Sequence, residues 1–527
     1  MVFARASLVT RRRIAVIAAA ILFPAPGHGA PACAACHPKQ TASYMKTGMG
    51  NSLAPPAPVS GAQILHEPSG SILDVVVQNG RMVHSLTERG LTAQYPVAYQ
   101  IGSGKAGRGY LIQAGDYLIQ SPAAWYNPHG WDVAPGFVSA QLLDFDRVIV
   151  ETCLFCHAGE ARFSEDGRRF LGPAPTAITC ERCHGPSAQH LERPSAKNIV
   201  NPAKLPIAAR DSVCEQCHLE GEERILNPGR TWRDFHAGED LAQTFAIYVL
   251  HQSGRSVKAV SHAEQLAESR CARESRGRLW CGSCHNPHSQ AADRNREMRE
   301  VCTSCHATLS EAAHPQGQSE CVRCHMPRLA PKDIIHAAIT DHRIVRRPGA
   351  DRNNAEPGEE TLVAPREPPV RFRKRDLGLA ELELGSRRGL PTMREAGIRL
   401  LEALPEEEKN ADAAVLSALA AAKLSQGMVA EGVALSRAAA ARQPANALYA
   451  FYLAIALAKS NDPAGAEQQL SRALELDPSL QQPYIELCSM YARQGRLRDV
   501  AATIDRYLKW NPQSISFRFE RPKIGEK

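Results

Sequence analysis

Aromatic side chains are scarce: Phe, Trp and Tyr make up 6% of the 527 residues. A chain of this length ordinarily needs more aromatic bulk, so something other than side chains is expected to fill part of its core. Net charge is small as well. The formal value is +7, and Arg5, Arg11, Arg12 and Arg13 supply four of those charges. The remainder is too little to argue for nucleic acid or an anionic membrane surface as a partner. Long apolar runs are absent after the N-terminus. The run there, Ile14 to Phe23, has ten residues, where a membrane span needs about 20. Arginines precede it, and Pro, Gly and Ala follow it, which is the layout of a secretory signal peptide over residues 1–30. Cleavage is expected between Gly27 and Pro31. The expected product is periplasmic, with no transmembrane segment after cleavage.

Cysteine, by contrast, is plentiful and patterned. Of 16 cysteines, 14 fall in seven pentapeptides of the form C-x-x-C-H. They are Cys33, Cys36 and His37; Cys153, Cys156 and His157; Cys180, Cys183 and His184; Cys214, Cys217 and His218; Cys281, Cys284 and His285; Cys302, Cys305 and His306; and Cys321, Cys324 and His325. Two thiols three residues apart lie on one side of a helical turn. They reach the two vinyl groups along one porphyrin edge, and the adjacent histidine supplies the proximal nitrogen to iron. Structural zinc also uses paired cysteines but does not require histidine after every second one. A thioredoxin-like pair would occur once, beside a βαβ pattern. A disulfide scaffold imposes no such triplet. The expected cofactor is therefore haem c, seven copies, covalently attached, and these macrocycles would stand in for the missing aromatics. Covalent attachment to unfolded chain outside the cytoplasm favours general secretory export over the twin-arginine route that Thr10-Arg-Arg-Arg-Ile faintly resembles.

Twelve histidines lie outside the motifs, and with His28 in the leader, eleven remain for seven irons. His190, His236, His262, His288, His314 and His342 are the expected distal ligands. His288 follows His285 by three residues, and His190 follows His184 by six. At about 3.3 Å per residue, neither linker can pass round a porphyrin to its own far face, so both should cap neighbouring haems. His66, His84, His129, His251 and His336 are weaker candidates. No histidine follows the first motif before His66, but Met45 and Met49 do. Met45 is the expected distal ligand there, and a thioether would raise that potential.

The motifs, together with IGSGKAGRGYLI, WYNPHGWDVAPGF, TCERCHGP, SHAEQLAESRC, CGSCHNPH and CVRCHMPR…TDH, resemble the multihaem cytochromes related to cytochrome c554 and the hydroxylamine-oxidoreductase-like superfamily. The resemblance covers roughly residues 31–345. It implies close-packed haem pairs and electron transfer. Some relatives reduce nitrite or oxidised sulfur compounds, several through a lysine-ligated haem. This sequence contains no C-x-x-C-K.

The expected fold class is mainly α: a haem-packed domain of short helices and loops over 31–345, then a helical solenoid. A β-containing insert is expected over 61–140. Asn79-Gly80 should turn one hairpin there, and Ala114-Gly115-Asp116 another. Residues 346–375, rich in Pro and charge, read as a linker or surface strap. Beyond them Pro444, Pro478 and Pro512 are spaced by 34, and Gly427, Asn461 and Gly495 repeat with the same period. That is the tetratricopeptide (TPR) period. The repeat domain is expected over 376–527, with Ala420, Ala454 and Cys488 at one packing position. It should have its own core, be removable without loss of the haem region, and dock a protein or peptide. The resulting reading is an exported seven-haem cytochrome that transfers electrons between redox partners. The alternative is a multihaem oxidoreductase acting on a small inorganic nitrogen or sulfur substrate at one open haem. Cys271 has no functional account.

Overall fold

A computed structural model describes residues 29–57, 59, 61–251, 257–289, 294–306, 321–346 and 360–522. The signal-peptide reading, save its last two residues, and His314 lie outside this set.

Two antiparallel sheets occupy the N-terminal third. The smaller is a meander of four strands, Ala62–His66, Ser71–Gln78, Arg81–Glu88 and Leu91–Pro96. Its central hairpin turns at Asn79-Gly80, where φ is +52° and +73°. Positive φ at both central residues is the type I′ geometry that matches strand twist, and Asn-Gly tolerates it best. The larger sheet has seven strands. Its order is Leu53–Ala54, Tyr99–Ile101, Gly107–Ala114, Tyr117–Gln120, Val148–Ile149. The strands Ala123–Tyr126 and Gly130–Val133 branch from Gly107–Ala114. The second expected hairpin is present, with Gly115 at φ +57° in its turn. Leu73, Leu86 and Ala93 from the meander meet Tyr110, Ile112 and Ile119 from the larger sheet in one buried cluster.

The β region therefore runs from Leu53 to Ile149 and exceeds the expected 61–140. A mainly-α description suits the C-terminal part and not this one. The discrepancy has a local cause: strands of two to four residues, such as Leu53–Ala54 and Val148–Ile149, are too short to show a period-2 pattern.

From Glu151 to His325 the chain forms short helices joined by loops, most of them carrying a C-x-x-C-H motif. Regular helices follow. Those beginning at Ala413, Ala447 and Gln481 start 34 residues apart, as do their partners from Val429, Pro463 and Leu497. Between paired helices Gly427, Asn461 and Gly495 adopt φ +79°, +61° and +70°, the left-handed turn that ends a helix. Asp412 and Asn446 cap the following helices by accepting backbone N–H bonds. Ala420 and Ala454 are buried where paired helices touch. An earlier pair, Arg373–Arg388 and Pro391–Glu402, completes the solenoid.

The solenoid is bonded to the rest of the chain at its start, its middle and its far end. At its start, Arg375 donates to the Leu226 carbonyl at 2.7 Å, and Arg388 pairs with Glu222 at 2.6 Å. The strap before it adds a strand, Thr361–Val363, to the edge of Phe245–His251. At the far end Asn511 donates to the Phe145 carbonyl at 2.8 Å, and Ser514 donates to Asp144 at 2.7 Å. Ile515, 0% exposed, enters the β-sheet core. Midway, buried Asp477 accepts from Tyr117 at 2.9 Å and pairs with Arg168. These contacts build both ends of the repeats into neighbouring regions, beside cores that the repeats form for themselves. Nothing in the residue pattern of 511–517 marks it as part of a distant core.

Candidate haem-binding site

Cysteine is ordinarily among the most completely buried residues. Here none of the 14 motif cysteines is buried, and no disulfide joins any of the 16 cysteines. The motif histidines behave similarly: His37, His157, His218, His285 and His306 are exposed by accessible area. Yet burial among surrounding protein lowers the pKa of His157 and His218, the latter also through nearby His342. Side chains that contact solvent but sit deep within protein line crevices. Crevices lined by paired thiols and imidazoles fit a large flat prosthetic group.

The motifs are contiguous in space. The thiol of Cys33 neighbours that of Cys180, Cys156 that of Cys217, Cys214 that of Cys281, and Cys302 that of Cys321. Each pair joins different motifs. Tyr44, which donates to the Ile178 carbonyl at 2.7 Å, lies beside Cys180, Cys183 and Cys217. Cys284 lies near Cys302. The seven motifs therefore lie together in one array.

Imidazoles also meet across segments. Two nitrogens sharing a metal stand about 4 Å apart, twice a metal–imidazole bond, which puts collinear ring centres about 6 Å apart. Nε2 of His184 lies 3.5 Å from Nε2 of His288, with ring centres 5.7 Å apart. His184 Nδ1 is held by the Val200 carbonyl at 2.8 Å, which directs Nε2 toward His288. His37 and His190 are 6.4 Å apart, and His190 Nδ1 contacts the Ser195 carbonyl at 3.1 Å. His285 and His342 are 6.3 Å apart, and His342 Nδ1 contacts the Thr340 carbonyl at 2.8 Å. His218 and His262 are 5.5 Å apart. His262 is pushed down to about 3, mainly by burial and then by His218, His342 and His285. His325 contacts the Val345 carbonyl through Nδ1 at 2.6 Å.

Two expected ligands sit elsewhere. Met45 is 45% exposed at the end of the helix Pro38–Tyr44, and His190 holds the position facing His37. The methionine follows the motif too closely, on the helix that continues from it. His236 lines a cleft of about 480 Å³ with Glu160, Arg162, Arg182 and Arg233. That cleft faces Leu154, Phe155 and Ala158 rather than the cysteines of their helix. Among the described residues no imidazole stacks on His157. Of the weaker candidates, His84 is buried in the β core against Tyr110 and Trp131. His66 is held by Ser69 at 2.7 Å and the Val138 carbonyl at 3.2 Å. His129 and His336 stack on each other.

Comparison with known proteins agrees with the motifs. A family model described as "Doubled CXXCH motif" matches residues 275–311, which hold the fifth and sixth pentapeptides. Multiheme cytochrome MtrA of Shewanella baltica (strain OS185) is 25% identical over 212 residues, 36% of this chain and 57% of that protein. The chain thus spans just over half the length of this relative. These matches support covalently bound haem c in a multihaem c-type cytochrome. Among solved structures, MamA is 13% identical, with a TM-score of 0.24 over 27% of this chain and 81% of its own. A thermophilic TPR protein of Thermus thermophilus is 18% identical, with a TM-score of 0.19 over 27% of this chain and 96% of its own. No described helix is long and apolar enough to cross a membrane.

Proposed function

We propose that the protein is an exported, periplasmic seven-haem c-type cytochrome that relays electrons between partner proteins. Covalently attached haem supplies one-electron transfer. The chain supplies attachment, spacing and axial nitrogens. The observation that carries the reading is the pair His184–His288, whose Nε2 atoms point at each other from segments 104 residues apart. Bis-histidine ligation of this kind leaves no open position, which suits a relay. We assign His37 with His190, His184 with His288, His218 with His262, and His285 with His342 as axial pairs. The residue boundaries of the haem region, 31–345, and of the repeats, from 373, belong to the same proposal. Docking of a partner on the repeats is supported by exposed apolar side chains at Tyr452 and Ile485.

A second reading rests on His157, which no described imidazole stacks upon. An iron open there would make the protein an oxidoreductase for a small inorganic nitrogen or sulfur substrate. Low-temperature electron paramagnetic resonance of oxidised protein separates the two. A relay gives low-spin signals throughout, and His288→Ala converts one haem to high-spin while all haems stay attached. A high-spin signal in the unaltered protein, perturbed by nitrite or hydroxylamine, supports the enzyme. Mass spectrometry tests the count: seven haems add roughly 0.6 kDa each, and four or fewer would refute seven equivalent motifs.

A further inference from the structure

One cluster of ligating side chains stands apart from the haem array. His129, Asp132 and His336 bring two imidazoles and a carboxylate together, with their donor atoms all within 4.8 Å of one another. His129 lies in the turn before the strand Gly130–Val133, and Asp132 lies on that strand. His336 arrives from 204 residues away, in the loop between the seventh motif and His342. Asp132 Oδ2 is 2.7 Å from His336 Nε2 and 3.5 Å from His129 Nε2. Its other oxygen accepts the Val133 backbone N–H at 2.7 Å, which fixes the carboxylate's direction. The two rings lie nearly parallel, 3.4 Å apart, and the Tyr126 ring stands edge-on to His336. His336 also holds a left-handed backbone, φ +55°. That conformation is unfavourable for a non-glycine residue and persists only where the surroundings impose it. Ile334 and Ile335, just before it, pack against the β core.

We infer that His129, Asp132 and His336 form a divalent transition-metal site of the zinc class. Two imidazoles and one carboxylate suit zinc, nickel or copper, whereas calcium and magnesium prefer all-oxygen shells. The carboxylate neutralises half of a divalent charge. The donor atoms already lie within 4.8 Å of one another, and turning the two stacked rings about their side-chain bonds would aim both nitrogens at one centre. The cluster is partly exposed, with side-chain exposures of 45%, 29% and 29%, so a metal enters from solvent and retains water at the remaining positions. The metal ties the Gly130–Val133 hairpin to the loop that carries His342 into the haem array.

The test uses haem-loaded, chelator-treated protein titrated with zinc chloride by calorimetry. One zinc per chain is expected. His129→Ala, Asp132→Asn and His336→Ala should each weaken binding at least tenfold, with haem content and visible spectrum unchanged. Zinc-edge X-ray absorption of the unaltered protein should show imidazole nitrogen and oxygen at about 2.0–2.1 Å. No saturable binding, equal binding by the triple variant, a sulfur-ligated zinc, or a changed haem spectrum in His336→Ala would each overturn the assignment. The last result would place His336 on a haem iron.

Discussion

Ala420 and Ala454 are 2% and 1% exposed between paired helices, while none of the 14 motif cysteines is buried. The repeats and the haem stretch solve the same problem differently. In the repeats each helix pair buries its apolar face on the next, so the polypeptide supplies its own core. Between Glu151 and His325 the helices are mostly too short to bury one another, and the motif cysteines and histidines line crevices. There the chain is a frame for prosthetic groups. Residues that are nearly invisible by accessible area in one region are conspicuous in the other, and that contrast separates packing from chemistry.

The sharpest way to break the comparison is to withhold the groups. Replacing all 14 motif cysteines with serine should abolish covalent haem. Limited proteolysis should then cut within 150–345 while 413–510 stays helical by circular dichroism. If both regions are cut together, the repeats have no core of their own. The next largest effect is expected at the join. Asp477→Ala leaves Arg168 without its buried carboxylate and should destabilise the protein by about 3–5 kcal/mol, read in denaturant. Ile515→Ala should destabilise by about 2–5 kcal/mol and raise hydrogen exchange at Tyr110 and Leu111 rather than within the repeats. A smaller effect concerns pH. Burial pushes His84 down to about 3, whereas an unfolded histidine titrates near roughly 6.5. The unfolded chain therefore binds the extra proton between those values. The stability tied to neutral His84 is complete above the unfolded value and is lost as pH falls from it toward 3. His84→Phe should flatten that acid slope. The smallest is Gly427→Ala, which places a Cβ at φ +79° and should destabilise by about 1 kcal/mol, confined to its own repeat.

Legibility in the sequence followed the same divide. Proline and glycine spaced by 34 marked the repeats because each repeat is one structural unit with its breakers at fixed places. Asn79-Gly80 marked a hairpin because so few residue pairs accept that turn. The pentapeptides pointed to covalently bound haem c because the chemistry demands three residue types at fixed spacing, and a doubled C-x-x-C-H family model matches two of them. Distal partners were harder. Linker length showed that His190 and His288 could not serve their own motifs, and the structure sets them against His37 and His184. It could not show that His190 rather than Met45 faces the first motif, because that meeting depends on how loops fold in three dimensions. The placement of Ile515 was invisible for the same reason. A single isoleucine carries no record of which core it enters.

Asp144 and Ser514 are 370 residues apart, and their bond has a consequence in time. A chain is made and moved from its N-terminus, and a loop of this length closes late. The two sheets can pair early, but the place of Ile515 stays open until almost the whole chain has arrived. Every C-x-x-C-H motif after the first lies inside that unclosed loop. Covalent haem attachment needs accessible thiols, and in the proposed seven-haem protein six of the seven motifs would be reached before the segment around Ile515 docks against the sheets.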